Sequence, residues 1–416
     1  MKRSTQAVAE WLGATLVGSG ERFVCEAVND HRRLPPVGGL FVALLGSRVD
    51  GHEYLAAAAL AGASAALVER TRLADYGHLS TSMDLLGVDD VEASLWTLAL
   101  RNRAEYRGPV VAVTGSVGKT TTKNMLSFVL TRLLGDGVYT SGNQNNLLGA
   151  PMTLVRVDLG GPFLVVELGS NAPGEIPRLA ALTRPDIAII TAVGAAHLEG
   201  FGTLAGVLAE KASLARALAP QGLAIYPSGD ALLRTDAGTW NCRTVSFGTE
   251  ARDDAQITAV HEGQTASGTI TIDGIGHRVE LSVPGAFNLL NAAAALLAVR
   301  ELGGDVGEAA RLLREFVPES MRMEWRTVAG MRFLVDSYNA NPDSVKAVLA
   351  TISQVSAPRR VAVLGSMLEL GLDSAAWHRR VGSAAAAAGL DVLVFVGANA
   401  EDYTGGARGA VGVWRC

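Results

Sequence analysis

The stretch VVAVTGSVGKTTT, residues 110–122, decides the fold of this chain. Its first five residues form a continuous run that is typical of a parallel strand buried on both faces. The glycines that follow let backbone N–H groups turn toward an anion, and the start of the next helix adds about half a positive charge. The stretch therefore predicts a phosphate-binding loop, with a glycine turn before a threonine helix cap as the alternative. Only two residues separate Gly115 from Gly118, fewer than in the general phosphate-loop pattern.

The lysine of this loop is one of very few in the chain. Of the 36 Lys and Arg residues only five are lysines, at positions 2, 119, 123, 211 and 346. Arginine replaces lysine on most surfaces, but not where a compact charge or a neutral amine is needed. We therefore expect Lys119 to contact phosphates and Thr120 to be able to bind Mg²⁺.

Strands and helices alternate on both sides of the loop. Apolar runs at 163–168, 186–191 and 222–226 predict further strands of a parallel sheet with helices on both faces. Period-two alternation around Asp273-Gly274 predicts an antiparallel hairpin at the sheet edge. The predicted fold is α/β, with three domains. These are a small α/β domain at 1–105, a central phosphate-loop domain at 106–316, and a shortened Rossmann-like α/β domain at 317–416.

Composition excludes several classes of protein. The 416 residues carry a net charge of −5, which argues against a broad nucleic-acid surface. No apolar run reaches the ~18 residues of a membrane span, so we expect no membrane insertion. The N-terminus predicts an amphipathic helix rather than a signal peptide. Three widely spaced cysteines suggest a reducing cytoplasm.

Three more polar residues follow predicted strands or lie on the helix beyond. Glu167 ends a strand, where an acid is well placed to hold a metal, although a surface glutamate is an equal alternative. His197 lies in a glycine-rich loop after another strand, which favours ligand binding or acid–base work. Spacing alone favours a solvent-exposed Lys211 on the following helix.

Two polar loops complete the candidates. The loop GNQNN at 142–146 is either a turn or part of a site, since Asn tolerates left-handed conformations. The loop DSYNANPDS at 336–344 follows an apolar strand and predicts a binding edge, although Asp343 and Ser344 could instead cap the next helix.

In this order the motifs resemble the Mur ligase family, and its MurF type in particular. The resemblance runs from about Phe41 onward and rests on DGH at 50–52, the phosphate loop, GNQNNLLGAPMT at 142–153 and ELGSN at 167–171. It continues with AHLEGFG at 196–202, FNLLNA at 287–292, DSYNANPDS, and GSMLELG at 365–371 with His378 beyond it.

The resemblance implies an ATP-dependent ligase of peptidoglycan precursor synthesis. A phosphoryl group passes from ATP to a carboxylate of UDP-N-acetylmuramoyl-tripeptide, and the amine of D-alanyl-D-alanine attacks the acyl phosphate. Two Mg²⁺ ions offset the negative charges. The resemblance also implies a carbamate on Lys211, which requires a neutral amine and so reverses the reading from spacing. We further expect a cytoplasmic monomer that does not bind nucleic acid.

The resemblance assigns residues to each site. Lys119, His197 and Lys211 are catalytic, and the metal ligands are Thr120, Glu167, His197 and carbamylated Lys211. The expected ATP-binding residues are Thr114, Gly115, Ser116, Val117, Gly118, Lys119, Thr120, Thr121, Asn288, Asn291, Arg322 and Asp336. The expected substrate-binding residues are Arg32, Asp50, His52, Asn145, Asn146, Asn339, Asn341 and Ser344.

The chain departs from the family pattern at three places. His31 stands where a small hydroxyl residue is usual, and Ser366 stands in place of an acid. We also expect the carboxyl end to lack roughly one strand–helix–strand portion. These departures leave two alternatives open: a related ligase, such as another Mur or folylpolyglutamate synthetase-like enzyme, and a nucleotide-binding scaffold without catalysis.

Overall fold

A computed structural model describes residues 1–408 and 412–415. The chain forms two compact units. The first comprises Met1–Val110, Asp136–Leu168 and Arg178–Arg184, and the second comprises Val111–Gly135, Gly169–Pro177 and Pro185–Cys416. The predicted division into three domains stays a prediction, and its last residue, Cys416, lies outside the described residues.

The first 105 residues build a five-stranded sheet and a two-stranded one. The strands are β1 (Arg3–Ser4), β2 (Thr15–Val17), β3 (Phe23–Val24), β4 (Glu26–Val28), β5 (Gly39–Val42), β6 (Ala65–Glu69) and β7 (Asp84–Val88). The α-helices are α1 (Thr5–Leu12), α2 (Leu55–Leu60), α3 (Leu73–Tyr76) and α4 (Val91–Glu105). Short 3-10 helices span His31–Arg33, Gly51–Tyr54, Arg70–Arg72 and Gly77–Thr81. The larger sheet has the order β2-β7-β6-β5-β4 and is parallel except for β2.

A nine-stranded sheet follows. Its strands are β8 (Val110–Thr114), β9 (Val138–Tyr139), β10 (Leu164–Glu167), β11 (Ile187–Ile190), β12 (Leu223–Pro227), β13 (Arg243–Gly248), β14 (Ala255–Glu262), β15 (Ala266–Ile272) and β16 (Ile275–Leu281). Their order is β16-β15-β14-β13-β12-β11-β8-β10-β9. Strand β11 pairs parallel with β8 and with β12, and the pairs β12–β13 and β13–β14 are also parallel. The pairs β14–β15 and β15–β16 are antiparallel. The predicted hairpin at the sheet edge is confirmed.

Helices connect these strands. They are α5 (Lys119–Leu134), α6 (Gly149–Val155), α7 (Glu175–Thr183), α8 (Leu198–Phe201), α9 (Leu204–Arg216), α10 (Ala231–Ala237), α11 (Phe287–Glu301) and α12 (Val306–Leu312), with a 3-10 helix at Leu313–Glu315. The helix expected after the phosphate loop is α5, and its apolar residues at i, i+3 and i+4 are fully buried: Leu126, Val129 and Leu130.

The last region combines an antiparallel ribbon with a small parallel sheet. The elements are β17 (Glu324–Val328), β18 (Met331–Val335), α13 (Pro342–Gln354), β19 (Val361–Gly365), α14 (Ser374–Ala387), β20 (Val392–Val396), α15 (Ala400–Gly406) and β21 (Val413–Arg415), with a 3-10 helix at Gly371–Asp373. The ribbon is β17–β18, and the parallel sheet has the order β19-β20-β21. Leu393 and Phe395 are buried in one core with residues of α13, α14 and α15.

The predicted α/β class, with a central parallel sheet and a C-terminal domain, is confirmed. The apolar strand expected before the loop 336–344 is β18, which pairs with β17 in a two-stranded ribbon. Among the residues that the structure describes, no helix is both long and apolar enough to cross a membrane.

Candidate active site

The glycine loop between β8 and α5 is a close-packed turn. Gly115 and Gly118 have φ angles of 143° and 86°, which L side chains rarely adopt. A Cβ on Gly115 would lie 2.2 Å from Thr191 Oγ1, and one on Gly118 would lie 2.5 Å from Asn291 Oδ1. Both positions therefore require glycine, and the loop keeps the backbone shape that an anion cradle needs.

Side chains of the loop fix it to the segment after β11. The Ser116 hydroxyl donates to Gly194 O at 3.1 Å and accepts from Gly194 N at 3.0 Å. Ser116 N also donates to Ala192 O at 2.8 Å. Lys119 begins α5, and its Nζ donates to Gly115 O at 2.6 Å, which brings the ammonium group back over the loop. Thr120 is buried next to it.

Asn288 and Asn291 lie behind the loop on α11. Asn291 Oδ1 accepts from the Thr122 hydroxyl at 3.1 Å, and Asn291 Nδ2 donates to Asn288 Oδ1 at 3.0 Å. Asn288 Nδ2 in turn donates to Pro284 O at 2.7 Å. These two predicted ATP-binding residues thus connect α5, through Thr122, to the backbone at Pro284 by a chain of buried hydrogen bonds.

Lys211 is almost fully buried on α9, so the solvent-exposed reading from spacing is wrong. Its Nζ donates to Ser170 Oγ at 2.7 Å and lies 5.5 Å from the centre of the Phe201 ring. The pKa of Lys211 falls to about 7, chiefly because the amine is buried and also because Lys119 is positively charged. Carboxylates of the neighbouring acids oppose this shift only in part. A substantial fraction of Lys211 is therefore a neutral amine at neutral pH.

His197 precedes α8 in a left-handed conformation, with φ of 54°. Its Nδ1 contacts a carboxylate oxygen of Glu369, and its ring meets the Phe201 ring edge-on at 6.5 Å. Burial lowers the pKa of His197, while the hydrogen bond to Glu369 acts against this shift.

Glu167 is buried at the carboxyl end of β10. Its Oε1 accepts from Asn145 Nδ2 at 2.8 Å, and its backbone N–H donates to the Thr140 hydroxyl at 2.9 Å. The next residue in the asparagine loop, Asn146, accepts from Leu148 N and Gly149 N through Oδ1. The structure thus brings together Glu167 and Asn145, two predicted site residues from separate motifs.

The predicted substrate-binding residues among the first 105 positions take part in two small networks of hydrogen bonds and ion pairs. Arg32 forms a two-point ion pair with Asp30 through Nε and Nη2, both at 2.9 Å, and its side chain is otherwise exposed. His52 is buried, with Nδ1 at 2.8 Å from Asp50 Oδ1, and Nε2 accepts from Glu69 N at 3.1 Å. Because Nε2 accepts, Nδ1 carries the proton, so both ring nitrogens are used within the fold.

His31, one of the departures from the family pattern, stacks on Tyr54 with ring centres 5.4 Å apart and an interplanar angle of 17°. Ser366, another departure, accepts a hydrogen bond from Asn399 N at 3.1 Å. Each residue that departs from the family pattern therefore has a local contact in this chain.

Arg322 and Asp336 lie near the start of the last region. The Arg322 guanidinium lies 4.1 Å from the centre of the Tyr338 ring and 3.9 Å from Glu319 Oε2. Asp336 Oδ1 accepts from Met323 N at 3.1 Å, and burial raises the pKa of Asp336.

The loop that contains Asn339, Asn341 and Ser344 opens α13. Asn341 caps this helix by accepting from Asp343 N and Ser344 N, and the Ser344 hydroxyl accepts from Asn341 N to complete a capping box. Asn339 is exposed, and its Oδ1 accepts from Ala340 N. The alternative reading of this loop as a helix cap is therefore confirmed for Ser344, whereas its binding role stays a prediction.

Sequence reasoning missed two carboxylates that reach the segment 193–199. Asp343 Oδ2 accepts from Ala195 N at 2.9 Å, and Glu369 contacts His197. Both acids fall within motifs that the sequence singled out. However, 148 and 172 residues separate each from its partner, so no local pattern could have paired them.

In the described part of the chain, no group of three or more His, Cys, Asp or Glu side chains is arranged to hold a metal. A cation here would therefore draw on other oxygens, such as the Thr120 hydroxyl and a bound phosphate. That donor set suits Mg²⁺, which prefers one or two carboxylates with phosphate and water oxygens.

Comparison with known proteins places the chain in a family. Residues 113–299 match the Mur ligase middle domain, and residues 321–412 match the Mur ligase glutamate ligase domain. UDP-N-acetylmuramoyl-tripeptide–D-alanyl-D-alanine ligase of Escherichia coli strain K12 is 36% identical over 392 residues, which cover 91% of this chain and 82% of that protein. The chain belongs to the Mur ligase family.

Solved structures of Mur ligases agree with this assignment. The crystal structure of MurF from Acinetobacter baumannii has a TM-score of 0.86 at 29% identity. The match covers 100% of this chain and 90% of the Acinetobacter chain. MurF ligase from Thermotoga maritima, solved in complex with ADP, has a TM-score of 0.77 at 26% identity. The match covers 94% of this chain and 93% of the Thermotoga chain. The recognition of a MurF-type Mur ligase is confirmed.

Proposed function

We propose that this chain is the ATP-dependent ligase that joins D-alanyl-D-alanine to UDP-N-acetylmuramoyl-tripeptide. The products are UDP-N-acetylmuramoyl-pentapeptide, ADP and phosphate. The observation that carries the proposal is the phosphate loop of a Mur ligase, complete with Lys119 folded over Gly115 O and fixed to the segment that presents His197. The 36% identity to the Escherichia coli ligase supports the choice of substrates.

The chemical difficulty is to bring two anions together. ATP carries a polyphosphate, and the acceptor is a carboxylate, so both repel each other until charge is neutralised. The N–H groups of the glycine loop and the start of α5 supply fixed positive ends of dipoles. Lys119 adds a full positive charge at the phosphate loop, where its Nζ donates to Gly115 O.

Transfer of the γ-phosphoryl group to the substrate carboxylate gives an acyl phosphate and ADP. The amine of the dipeptide then attacks the activated carbonyl carbon, a proton leaves the nitrogen, and phosphate departs. The chain contributes chiefly by positioning and electrostatics, as is usual for phosphoryl transfer.

Magnesium ions suit the donors present. In the second unit, Thr120, His197 and a carbamate on Lys211 would hold Mg²⁺, and Glu167 of the first unit is the further ligand that the family resemblance implies. When bound, Mg²⁺ neutralises phosphate charge and orients the transferred group. The Asn145 amide, which donates to Glu167 Oε1 at 2.8 Å, holds the carboxylate in one orientation for this role.

The buried Lys211 is suited to a carbamate. Its neutral amine attacks the carbon of CO₂, a C–N bond forms while one C–O π bond opens, and one proton leaves the nitrogen, so the neutral amine becomes a carbamate anion. The lowered pKa of Lys211 favours this modification because the attack requires the neutral amine. An arginine could not undergo the same reaction, in agreement with a lysine being retained in an arginine-rich chain.

We expect a ¹³C carbonyl resonance to appear when the protein is equilibrated with ¹³C-bicarbonate, and to be absent in Lys211→Arg. Lys2→Arg, which changes an exposed lysine, is the matched control and should keep the resonance. Small carboxylates should partly restore turnover to Lys211→Ala. A wild-type protein that gives no carbamate resonance above pH 7 would rule the modification out.

The two substrates fit different parts of the chain. We assign the UDP end of the acceptor to the domain at 1–105, with Arg32 and the Asp50–His52 segment as candidates. The D-alanyl-D-alanine side falls to the loop with Asn339 and Asn341 at 317–416. ATP then lies with the central domain at 106–316.

The function is tested by release of ADP and phosphate from ATP, Mg²⁺, UDP-N-acetylmuramoyl-tripeptide and D-alanyl-D-alanine. We expect turnover to require the dipeptide, and Lys119→Ala to reduce it by at least ~10²-fold, as loss of a transition-state charge partner does. Lys2→Ala, at an exposed site, is the control. If another amine or UDP acceptor supports faster turnover, the chain is a related ligase with a different substrate.

A further inference from the structure

His197 and Glu369 form a contact that no local motif predicts. Both residues have left-handed backbones, with φ angles of 54° and 60°. Conformations of this kind are costly for residues other than glycine and persist only where surrounding contacts hold them. The Glu369 carboxylate reaches His197 Nδ1, while Glu369 O accepts from Glu199 N at 3.0 Å. Glu369 is thus fixed to the His197 segment by its side chain and by its backbone.

The loop that carries Glu369 is itself braced. His378 is fully buried on α14, and its Nε2 accepts from Met367 N at 3.0 Å while Nδ1 donates to Ser374 O at 2.7 Å. The His378 ring packs edge-on against Tyr403, with ring centres 4.7 Å apart. The loop that carries Glu369 is therefore attached to α14 two residues before Glu369, through the hydrogen bond from Met367 N to His378.

The contact selects one form of the histidine. An ionised carboxylate can only accept a hydrogen bond, so the nitrogen that faces it, Nδ1, must carry the proton. The lone pair of a neutral His197 then lies on Nε2, the nitrogen available to a metal or a phosphate-bound water. Carboxylates that orient a ligand histidine in this way commonly change affinity or activity by 10- to 100-fold when removed.

We propose that Glu369 is a positioning residue for His197, which sets its tautomer and orientation. The inference rests on the proposed function, because it gives His197 a part in that reaction. Glu369 comes from the C-terminal region, as does Asp343, which accepts from Ala195 N in the same segment. Contacts from the C-terminal region to residues 195–199 therefore set the tautomer and the orientation of His197.

The test uses the full-length chain with ¹⁵N-labelled histidine, without nucleotide or metal. Seven histidines are present, and the resonances of His197 are those lost in His197→Gln. We expect Nδ1 to be protonated in the wild type, and the proton to be shared with Nε2 in Glu369→Ala. Asp373→Asn removes an exposed acid close to the same loop and should leave the resonances unchanged.

Kinetics supply the second measurement. Glu369→Ala should lower kcat 10- to 100-fold and change KM for ATP less than threefold, and Glu369→Gln, which retains an oxygen acceptor, should lose less. An unchanged His197 tautomer in a folded Glu369→Ala protein would overturn the proposal, as would a kcat within twofold of the wild type. A wild type without ligase activity would instead refute the proposed function, and the tautomer measurement would still decide the role of Glu369.

Discussion

The Asp50 side chain links the segment 50–52 to Arg72. Its Oδ1 accepts from His52 N at 3.0 Å and lies 2.8 Å from His52 Nδ1, while Oδ2 accepts from Arg72 at 2.5 Å. Burial raises the pKa of Asp50, but the hydrogen bonds from His52 and Arg72 outweigh it and hold the pKa at about 2. Asp50 thus has a structural task beside its predicted part in binding the substrate.

The lowered pKa makes a prediction about acid stability. The folded state binds the proton of Asp50 less readily than the unfolded state, in which the pKa is about 3.9. The stabilisation is therefore fully present above pH 4 and is lost as the pH falls toward 2. We expect Asp50→Asn to unfold at a lower temperature than the wild type at pH 6, and the difference to shrink between pH 4 and pH 2.

Calorimetry over this pH range checks the prediction. Asp89→Asn is the matched control, because that carboxylate also pairs with an arginine but is 85% exposed. Its unfolding temperature should follow the wild type throughout. A constant difference between Asp50→Asn and the wild type from pH 6 to pH 2 would contradict the argument.

Among the elements, α13 is capped by Asn341, a residue with two expected roles. Asn341 completes a capping box with Ser344, and both were expected to bind substrate. Loss of such a cap costs about 1 kcal/mol. We predict that Asn341→Ala lowers the free energy of unfolding of the region by about that amount, whereas Asn341→Asp retains most of it because Asp also caps well.

Denaturant unfolding gives the free energies, and KM for D-alanyl-D-alanine separates the two roles. If capping is the only role of Asn341, the Asp variant should keep the wild-type KM. A raised KM at normal stability would show that the side chain also contacts the dipeptide. Equal stability of Asn341→Ala and the wild type would contradict the capping prediction.

The helices and strands also show which features of the fold can be predicted from the sequence. Buried runs such as Val110–Thr114 and the hairpin around Asp273 were predictable, because their periodicity is local. The pairing of β18 with β17 was not, because the sequence pattern of a strand does not specify its partner. The contact between His197 and Glu369 joins residues 172 positions apart, so only the folded chain brings them together.

For Lys211, the family resemblance and the residue spacing led to different expectations. Periodicity suggested an exposed Lys211, whereas the structure buries it beside Ser170 and Phe201. The cause is tertiary: Lys211 lies among the buried residues of α9, such as Val207, Ala212 and Leu214, and its amine contacts Ser170 and the Phe201 ring, which lie outside this helix. A lysine among small apolar residues looks the same in the sequence whether it faces solvent or a cleft.

At the scale of the whole molecule, the proposed sites for ATP and for the UDP group fall in different compact units. The phosphate loop and residues 192–197 lie in the second unit, whereas Arg32 and Asp50 lie in the first. Ligands of the two sites should therefore protect different parts of the backbone from hydrogen exchange.

We predict that ADP with Mg²⁺ slows amide exchange at 113–122 and 192–197, by up to ~100-fold at a concentration 100 times Kd. UDP-N-acetylmuramoyl-tripeptide should instead slow exchange around 30–52. Lys119→Ala should lose the first effect and keep the second, because the phosphate loop lacks its cation while the first 105 residues are untouched. Protection of 30–52 by ADP alone would show that the two sites are not separate, and the assignment of the UDP group to residues 1–105 would then be wrong.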